Sequence, residues 1–247
     1  MQIDWLTARP MAHRGLHDVV AGAVENTASA FVAAIAGGYG IECDLQISAD
    51  GEAMVHHDDV LGRLTEGSGR ICDMTAAALK AVRFKTTSDR MLTLPDLCAL
   101  VAGRTALVIE LKGRFDSDRR LVERAAAVLT SYPGPAAVMS FDPALIKAMR
   151  ASAPDLPRGI VAERHYGQDE WGPLPPSEKR SMAHLLHIPY TRPHFIAYAV
   201  RDLPTVATTI ARNILRMPLL TWTVRSEDDR RRAQRYADQI IFEGWRP

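Results

Sequence analysis

Short apolar runs alternating with amphipathic stretches along 247 residues predict a closed (β/α)8 barrel, the TIM barrel, with a small insertion after strand 2. Three observations carry this expectation. The apolar runs recur eight times, are too short for helices, and show little polar alternation, as parallel strands buried on both faces do. The segments between them open on residues that cap helices. The length suits one barrel, so residues 1–247 are expected to form a single domain.

The first predicted strand is Pro10–His13. Asn26-Thr27 then precede an Ala-rich helix to Ala36, which Gly37-Gly38 stop, and Tyr39–Gln46 is the second strand. From Asp58 to Met91 no strand is predicted; Gly62, Gly67, Gly69 and polar residues surround one short helical pattern at Thr75–Val82. A stretch of that length inside a compact domain is functional or separately packed. Residues about 58–92 therefore read as an insertion over the catalytic mouth. Ala106–Leu111 is the third strand, and Asp118 opens a helix over Arg119–Leu129. Ala136–Ser140 and Arg158–Val161 follow as strands, then an irregular stretch, Tyr166–Pro176, with three prolines and Trp171, either a flap or a surface loop. Phe195–Ala199, Pro218–Val224 and Gln239–Glu243 complete the eight, and Ser226-Glu227-Asp228-Asp229 cap a helix over Arg230–Tyr236.

Composition narrows the function classes. Thirty Lys+Arg against 29 Asp+Glu leave a formal charge of +1, with 47% hydrophobic and 24% charged residues. That balance excludes a disordered tail, a collagen-like fibre and a polybasic nucleic-acid binder. The run Arg230-Arg231-Arg232, with Arg235, follows Asp228-Asp229 and reads as a solvated helix face, so no nucleic-acid partner is expected. Three cysteines without a CxxC pair favour a reduced, cytoplasmic compartment. The longest uncharged stretch, Asn26–Ile41, is interrupted by three glycines and polar residues, so no integral membrane segment is expected. Met-Gln-Ile-Asp-Trp at the start does not read as a signal peptide. The oligomeric state is left open.

Charged residues gather at predicted strand ends. His13 and Arg14 end strand one; Glu42 and Asp44 alternate on strand two and share a face; Glu110 and Lys112 do the same on strand three. On a barrel strand that face is the interior, where unpaired carboxylates are costly unless a cation accompanies them. Three carboxylates make an all-oxygen site for one hard divalent cation, Mg²⁺ or Ca²⁺. Arg14 and Lys112 suit a phosphate. His13 and His57 are groups able to act as base and acid near neutral pH. Together they describe phosphodiester cleavage. The blander reading, a structural salt-bridge cluster, stands beside it; His56, His17, His165, His184, His187 and His194 are read as structural.

His13-Arg14-Gly15, Glu25-Asn26-Thr27 and Ile41-Glu42-Cys43-Asp44-Leu45-Gln46 resemble the opening of the glycerophosphodiester phosphodiesterase family. The likeness continues through Val55-His56-His57-Asp58, Leu94-Pro95-Asp96-Leu97, Ile109-Glu110-Leu111-Lys112, Ser140-Phe141-Asp142 and Trp222-Thr223-Val224. The resemblance implies His13 and His57 as the acid–base pair, and Glu42, Asp44 and Glu110 as metal ligands. It also implies Arg14 and Lys112 as the phosphate-binding cations and Trp222 as pocket wall. Asn26 falls on a family position near the site, and a helix N-cap explains it as well. The substrate implied is a small glycerophosphodiester, cleaved to glycerol 3-phosphate and an alcohol through a cyclic phosphate. A lysophospholipid or another polyol phosphodiester is the alternative substrate, and a catalytically silent phospholigand-binding barrel the alternative class. Two departures bear on the substrate. Arg225 stands where many members have Asn, either favouring a more anionic substrate or pointing outward. Glu243 stands near the place of an Asp that ends strand eight in many members, with no room for a final barrel helix.

Overall fold

The structure is a computed structural model and describes residues 3–167, 171–172 and 174–247. Among the described residues nine strands follow one another: β1 (Met11–Ala12), β2 (Gly40–Ile47), β3 (Ala53–Val55), β4 (Leu107–Leu111), β5 (Ala136–Ser140), β6 (Arg158–Ala162), β7 (Phe195–Ala199), β8 (Leu219–Val224) and β9 (Gln239–Phe242). Eight are parallel and close on themselves, because β1 pairs with both β2 and β9. These are the eight predicted strands, with no end more than one residue from its predicted place: β2 and β6 run one residue further than predicted, and β5 and β7 keep the predicted bounds. The ninth, β3, is not among them: it lies antiparallel on β2 with Leu45 opposite Val55. Three residues are too few to carry a periodic signal.

The helices among the described residues are α1 (Trp5–Ala8), α2 (Ala28–Ala36), α3 (Ala76–Ala81), α4 (Leu94–Val101), α5 (Arg120–Leu129), α6 (Pro143–Ser152), α7 (Pro176–Ala183), α8 (Ile188–Thr191), α9 (Val206–Asn213) and α10 (Glu227–Tyr236). The α10 helix starts three residues before its predicted start. Ser226 accepts from the Asp229 amide while the Asp229 carboxylate accepts from the Ser226 amide, a reciprocal cap that draws the acidic residues into the first turn. Its arginines are occupied locally. Arg231 pairs with Glu227 and Asp228, and Arg230 lies 5.3 Å over the Trp245 ring, as a solvated face requires.

Alternation along each strand divides the core in two. Ile41, Cys43 and Leu45 of β2 face outward and pack with residues of α4 and α5. Met11, Val108, Met139, Val161, Phe195 and Ile241 point inward and fill the barrel. A Cβ on Gly159 would lie 2.4 Å from the Phe195 ring, so glycine on β6 is what lets that ring occupy the interior. Inward positions beyond this plug are at the C-terminal strand ends, and there the charged residues sit.

Between β3 and α4 the chain makes a 3-10 turn at Ile71–Asp73 and the helix α3, capped by Thr75. Leu61, Ile71, Leu79, Phe84 and Met91 bury one another against Met54 and Val24, a small core separate from the barrel's own. Of the irregular stretch predicted at Tyr166–Pro176, residues 168–170 and 173 lie outside the described residues. Among the described residues no helix is long and apolar enough to cross a membrane.

Candidate active site

The turn after β1 is tight. Arg14 and Gly15 have φ of 56° and 82°, and the Gly15 amide donates to the Ala12 and Glu42 carbonyls at 3.1 and 3.2 Å. A side chain at Gly15 would lie 2.9 Å from the Ala30 backbone, and glycine meets both demands. The turn holds His13 and Arg14 at the strand ends, and the Arg14 amide donates to Glu42 Oε2 at 3.1 Å.

On β2 and β4 the register sets Asp44 directly beside Glu110. Glu42, Asp44 and Glu110 are buried, and each brings a carboxylate oxygen within 4.8 Å of the others. Lys112 Nζ lies 2.8 Å from Asp44 Oδ1 and 2.7 Å from Glu110 Oε1; Arg14 Nε lies 3.3 Å from Asp44 Oδ2. Burial by itself would raise Asp44, but Lys112, His57 and Arg14 outweigh it and hold the carboxyl far below its usual range. Glu42 goes the other way: burial, then the charges of Asp44 and Glu110, push it well above. Three buried carboxylates, one of them pushed toward neutrality by burial and then by its neighbours, are a donor set that a hard divalent cation satisfies. These residues can hold a metal ion.

Each site histidine is gripped by a carboxylate. His13 Nδ1 lies 2.6 Å from Glu243 Oε2, and His57 Nδ1 lies 2.8 Å from Asp58 Oδ1. A carboxylate accepts only, so the ring proton belongs on Nδ1 and Nε2 is the basic nitrogen. His13 Nε2 is 3.9 Å from Glu42 Oε2. Burial pulls His13 below its ordinary value, with Glu243 working against the shift. The adjacent His56 is buried, with its ring 6.5 Å from that of Phe84, which leaves His57 as the one of the pair lining the cavity.

Asn26 is not a helix cap. Thr27 occupies the N-cap position of α2, and Asn26, at φ 57°, donates from Nδ2 to Asp44 Oδ2 at 2.9 Å and accepts the Asp44 amide at 3.3 Å. A capping residue needs extended backbone, so the left-handed conformation decides between the two readings. Asp58 extends the network: Arg63 joins it to Glu25, which in turn pairs with Arg14 at 2.7 Å. Arg225 lines the cavity and donates to Glu243 Oε2 at 2.8 Å, so it does not point away. His17, read from sequence as structural, lies 3.9 Å from Glu243 Oε1.

These residues surround a cavity of about 980 Å³ at the C-terminal ends of the strands. His13, Arg14, Glu42, His57, Glu110, Lys112 and Trp222 all line it, and Asp44 stands behind them. Sequence reasoning missed Glu243 and Asp58 as histidine partners and Glu25 as the link between two arginines. Asp58 had a signal, adjacency to His57; Glu243 had none within reach of a local pattern.

The sequence profile of the glycerophosphoryl diester phosphodiesterase family matches residues 13–242. Glycerophosphodiester phosphodiesterase 1 of Mus musculus is 30% identical over 151 residues, which cover 57% of this chain and 44% of that protein. The glycerophosphodiester phosphodiesterase of Caldanaerobacter subterraneus is 30% identical over 161 residues, covering 61% and 65%. The matched region thus spans less than two thirds of either relative. Among solved structures, an Oleispira antarctica phosphodiesterase in complex with the product sn-glycerol-3-phosphate superposes with a TM-score of 0.75 at 20% identity, covering 94% of this chain and 91% of that one. The Thermotoga maritima glycerophosphodiester phosphodiesterase gives 0.70 at 22%, covering 94% and 92%. Such structural likeness establishes the shared barrel fold, and the profile, matched from the first site histidine to the end of β9, establishes the lineage: the chain belongs to the glycerophosphoryl diester phosphodiesterase family.

Proposed function

We propose that this protein hydrolyses glycerophosphodiesters to glycerol 3-phosphate and an alcohol, with residues 1–247 as one catalytic unit and about 58–92 as an insertion over its mouth. The observation that carries the reading is the pairing of two carboxylate-held histidines with a buried carboxylate cluster and two cations in one cavity. The product complex of the Oleispira relative supports the same substrate class. A silent binding barrel would not need both acid–base groups intact.

Arg14 and Lys112 hold the phosphate, Arg14 by its planar fork and Lys112 as a point charge. Glu42, Asp44 and Glu110 hold one divalent cation, Mg²⁺ or Ca²⁺, which when bound supplies charge neutralisation at the phosphoryl oxygens. The hydroxyl next to the phosphoester attacks phosphorus, the bond to the leaving alcohol breaks, and a cyclic phosphate forms. Water then opens the ring. Nε2 of one histidine takes the proton of the attacking oxygen, and that of the other gives a proton to the departing alcohol. Glu243 and Asp58 keep both rings in the required tautomer. No protein nucleophile is needed: Cys43 alternates with Glu42 and Asp44 and faces outward into the core. A cytoplasmic setting belongs to this reading, supported by the three free cysteines.

The test is direct. Purified protein with glycerophosphoglycerol and glycerophosphoethanolamine should release glycerol 3-phosphate, measured by coupled oxidation. No release from either diester in the presence of Mg²⁺ or Ca²⁺ would sink the assignment.

A further inference from the structure

A second group of metal-ligating side chains lies beside the carboxylate cluster. His13 follows β1, His17 stands in the loop beyond it, and Glu243 follows β9. Each offers one ligand atom, and the three atoms lie within 4.8 Å of one another. Backbone bonds pin the loop on both sides of His17. The Leu16 amide donates to the Ala30 carbonyl at 3.0 Å, and Asp18 and Ala23 exchange amide-to-carbonyl bonds of 2.8 and 2.9 Å.

Glu243 stands between the two imidazoles with an oxygen turned to each. Its Oε2 is 2.6 Å from His13 Nδ1, and its Oε1 is 3.9 Å from His17 Nε2. The second contact is too long for a hydrogen bond. Arg225 also donates to Oε2, so Oε1 is the oxygen left for an ion. Two ligand atoms on one four-coordinate zinc are about 3.3 Å apart, given metal–ligand bonds of about 2.0–2.1 Å. The observed 2.6 and 3.9 Å bracket that spacing. The group is also open to solvent: the side chains of His13, His17 and Glu243 are 12%, 16% and 23% exposed, against 2% for Glu42 and Asp44.

We propose that His13, His17 and Glu243 form an inhibitory site for a borderline divalent ion of the Zn²⁺ class. Donor chemistry separates it from the carboxylate cluster. Two imidazoles and one carboxylate, with a fourth position for water, are a zinc donor set, whereas Mg²⁺ and Ca²⁺ take oxygen. Arg225, a cation on the same carboxylate, repels the ion and keeps its binding reversible. The effect on turnover rests on the phosphodiesterase reading above. An ion on His13 Nδ1 replaces the proton that Glu243 accepts, draws electron density from the ring and leaves Nε2 a poorer base. It also takes Glu243 from its place as anchor. His13 is thereby withdrawn from acid–base work while the carboxylate cluster stays loaded.

The experiment adds Zn²⁺ to the Mg²⁺-loaded protein during hydrolysis of glycerophosphoglycerol and repeats the titration with His17→Ala. Native turnover should fall to background, and raising Mg²⁺ should not restore it. His17→Ala should keep its turnover without zinc. It should need at least about tenfold more Zn²⁺ for half inhibition, because even outer-shell partners of a metal are worth that much. A readout without substrate stands beside the kinetics. Co²⁺ added to the Mg²⁺-loaded native protein should give the intense visible absorption of a four-coordinate ion, and His17→Ala should not. Equal inhibition of both proteins, inhibition reversed by Mg²⁺, or no such Co²⁺ absorption each overturns the inference and leaves the phosphodiesterase reading standing. A His17-dependent Co²⁺ absorption in a protein that hydrolyses no diester overturns the phosphodiesterase reading and leaves the ion site in place.

Discussion

Glu243 Oε2 lies 2.6 Å from Nδ1 of His13, 230 positions earlier in the chain. The contact exists because β9 pairs with β1, which brings the two strand ends to the same rim of the barrel. Arg225 donates to the same oxygen at 2.8 Å. Burial would raise Glu243, but the bond from His13 and the charge of Arg225 outweigh it and hold the carboxyl at about 2. It is therefore ionised throughout the working pH range, a fixed anchor for the ring.

Replacing that anchor should be costly. Glu243→Gln should lower kcat about tenfold to a hundredfold, the scale for a group that orients a functional histidine. The pH dependence has a definite sign. Burial already sets His13 below 6.5, and Glu243 opposes the shift, so removing the charge lowers it further. With neutral His13 as base, the acid limb of kcat/KM should lie below pH 6.5 and move to still lower pH in the variant. A limb that moves upward would contradict this role.

The two adjacent histidines should separate cleanly. His57→Ala should reduce kcat by about 10²-fold, the usual scale for a positioned acid or base. His56→Ala should keep most of the activity and lower Tm instead, since His56 is buried beside Phe84. Steady-state kinetics and thermal melts on both variants decide the matter.

Metal binding should release protons. Glu42 is held well above the ordinary carboxyl range by burial and by Asp44 and Glu110, and a cation displaces its proton. Titration calorimetry with Mg²⁺ or Ca²⁺ in buffers of different ionisation enthalpy should show this release, growing as pH is lowered. Glu42→Gln should weaken binding, and excess chelator should abolish turnover.

Asn26 offers a test of conformation against hydrogen bonding. Asn26→Gly keeps the left-handed backbone but loses both bonds to Asp44, at a cost of about 2 kcal/mol. Asn26→Ala loses the same bonds and adds about 1 kcal/mol for the left-handed conformation. Denaturant unfolding should therefore rank alanine below glycine. The reverse order would mean that the φ of 57° is not enforced.

The attacking group can be tested on the substrate. An intramolecular hydroxyl gains several kcal/mol, on the order of 7, from proximity when its geometry is held. A diester lacking the hydroxyl next to the phosphoester should bind as an inhibitor and turn over very slowly. Normal hydrolysis of that deoxy analogue would replace the cyclic route with direct attack by water.

Local pattern determined a good deal. Eight short apolar runs with capped helices between them are a property of neighbouring residues, and they were enough for the barrel. The two-residue period of a strand was enough to put Glu42 with Asp44, and Glu110 with Lys112, on inward faces, and to set His57 apart from His56. Where the run was too short for a period to repeat, as in the three residues of β3, or where two local rules applied to one residue, as at Asn26, the sequence left the matter undecided. Tertiary structure alone decided the partners: Glu243 on His13, Glu25 between Arg14 and Arg63, and the meeting of Phe115, Phe141, Trp171 and Trp222. The physical reason is range. Periodicity and capping act over one or two turns of chain, whereas these contacts join strand ends up to 230 residues apart, and only closure of the barrel brings them within hydrogen-bonding distance.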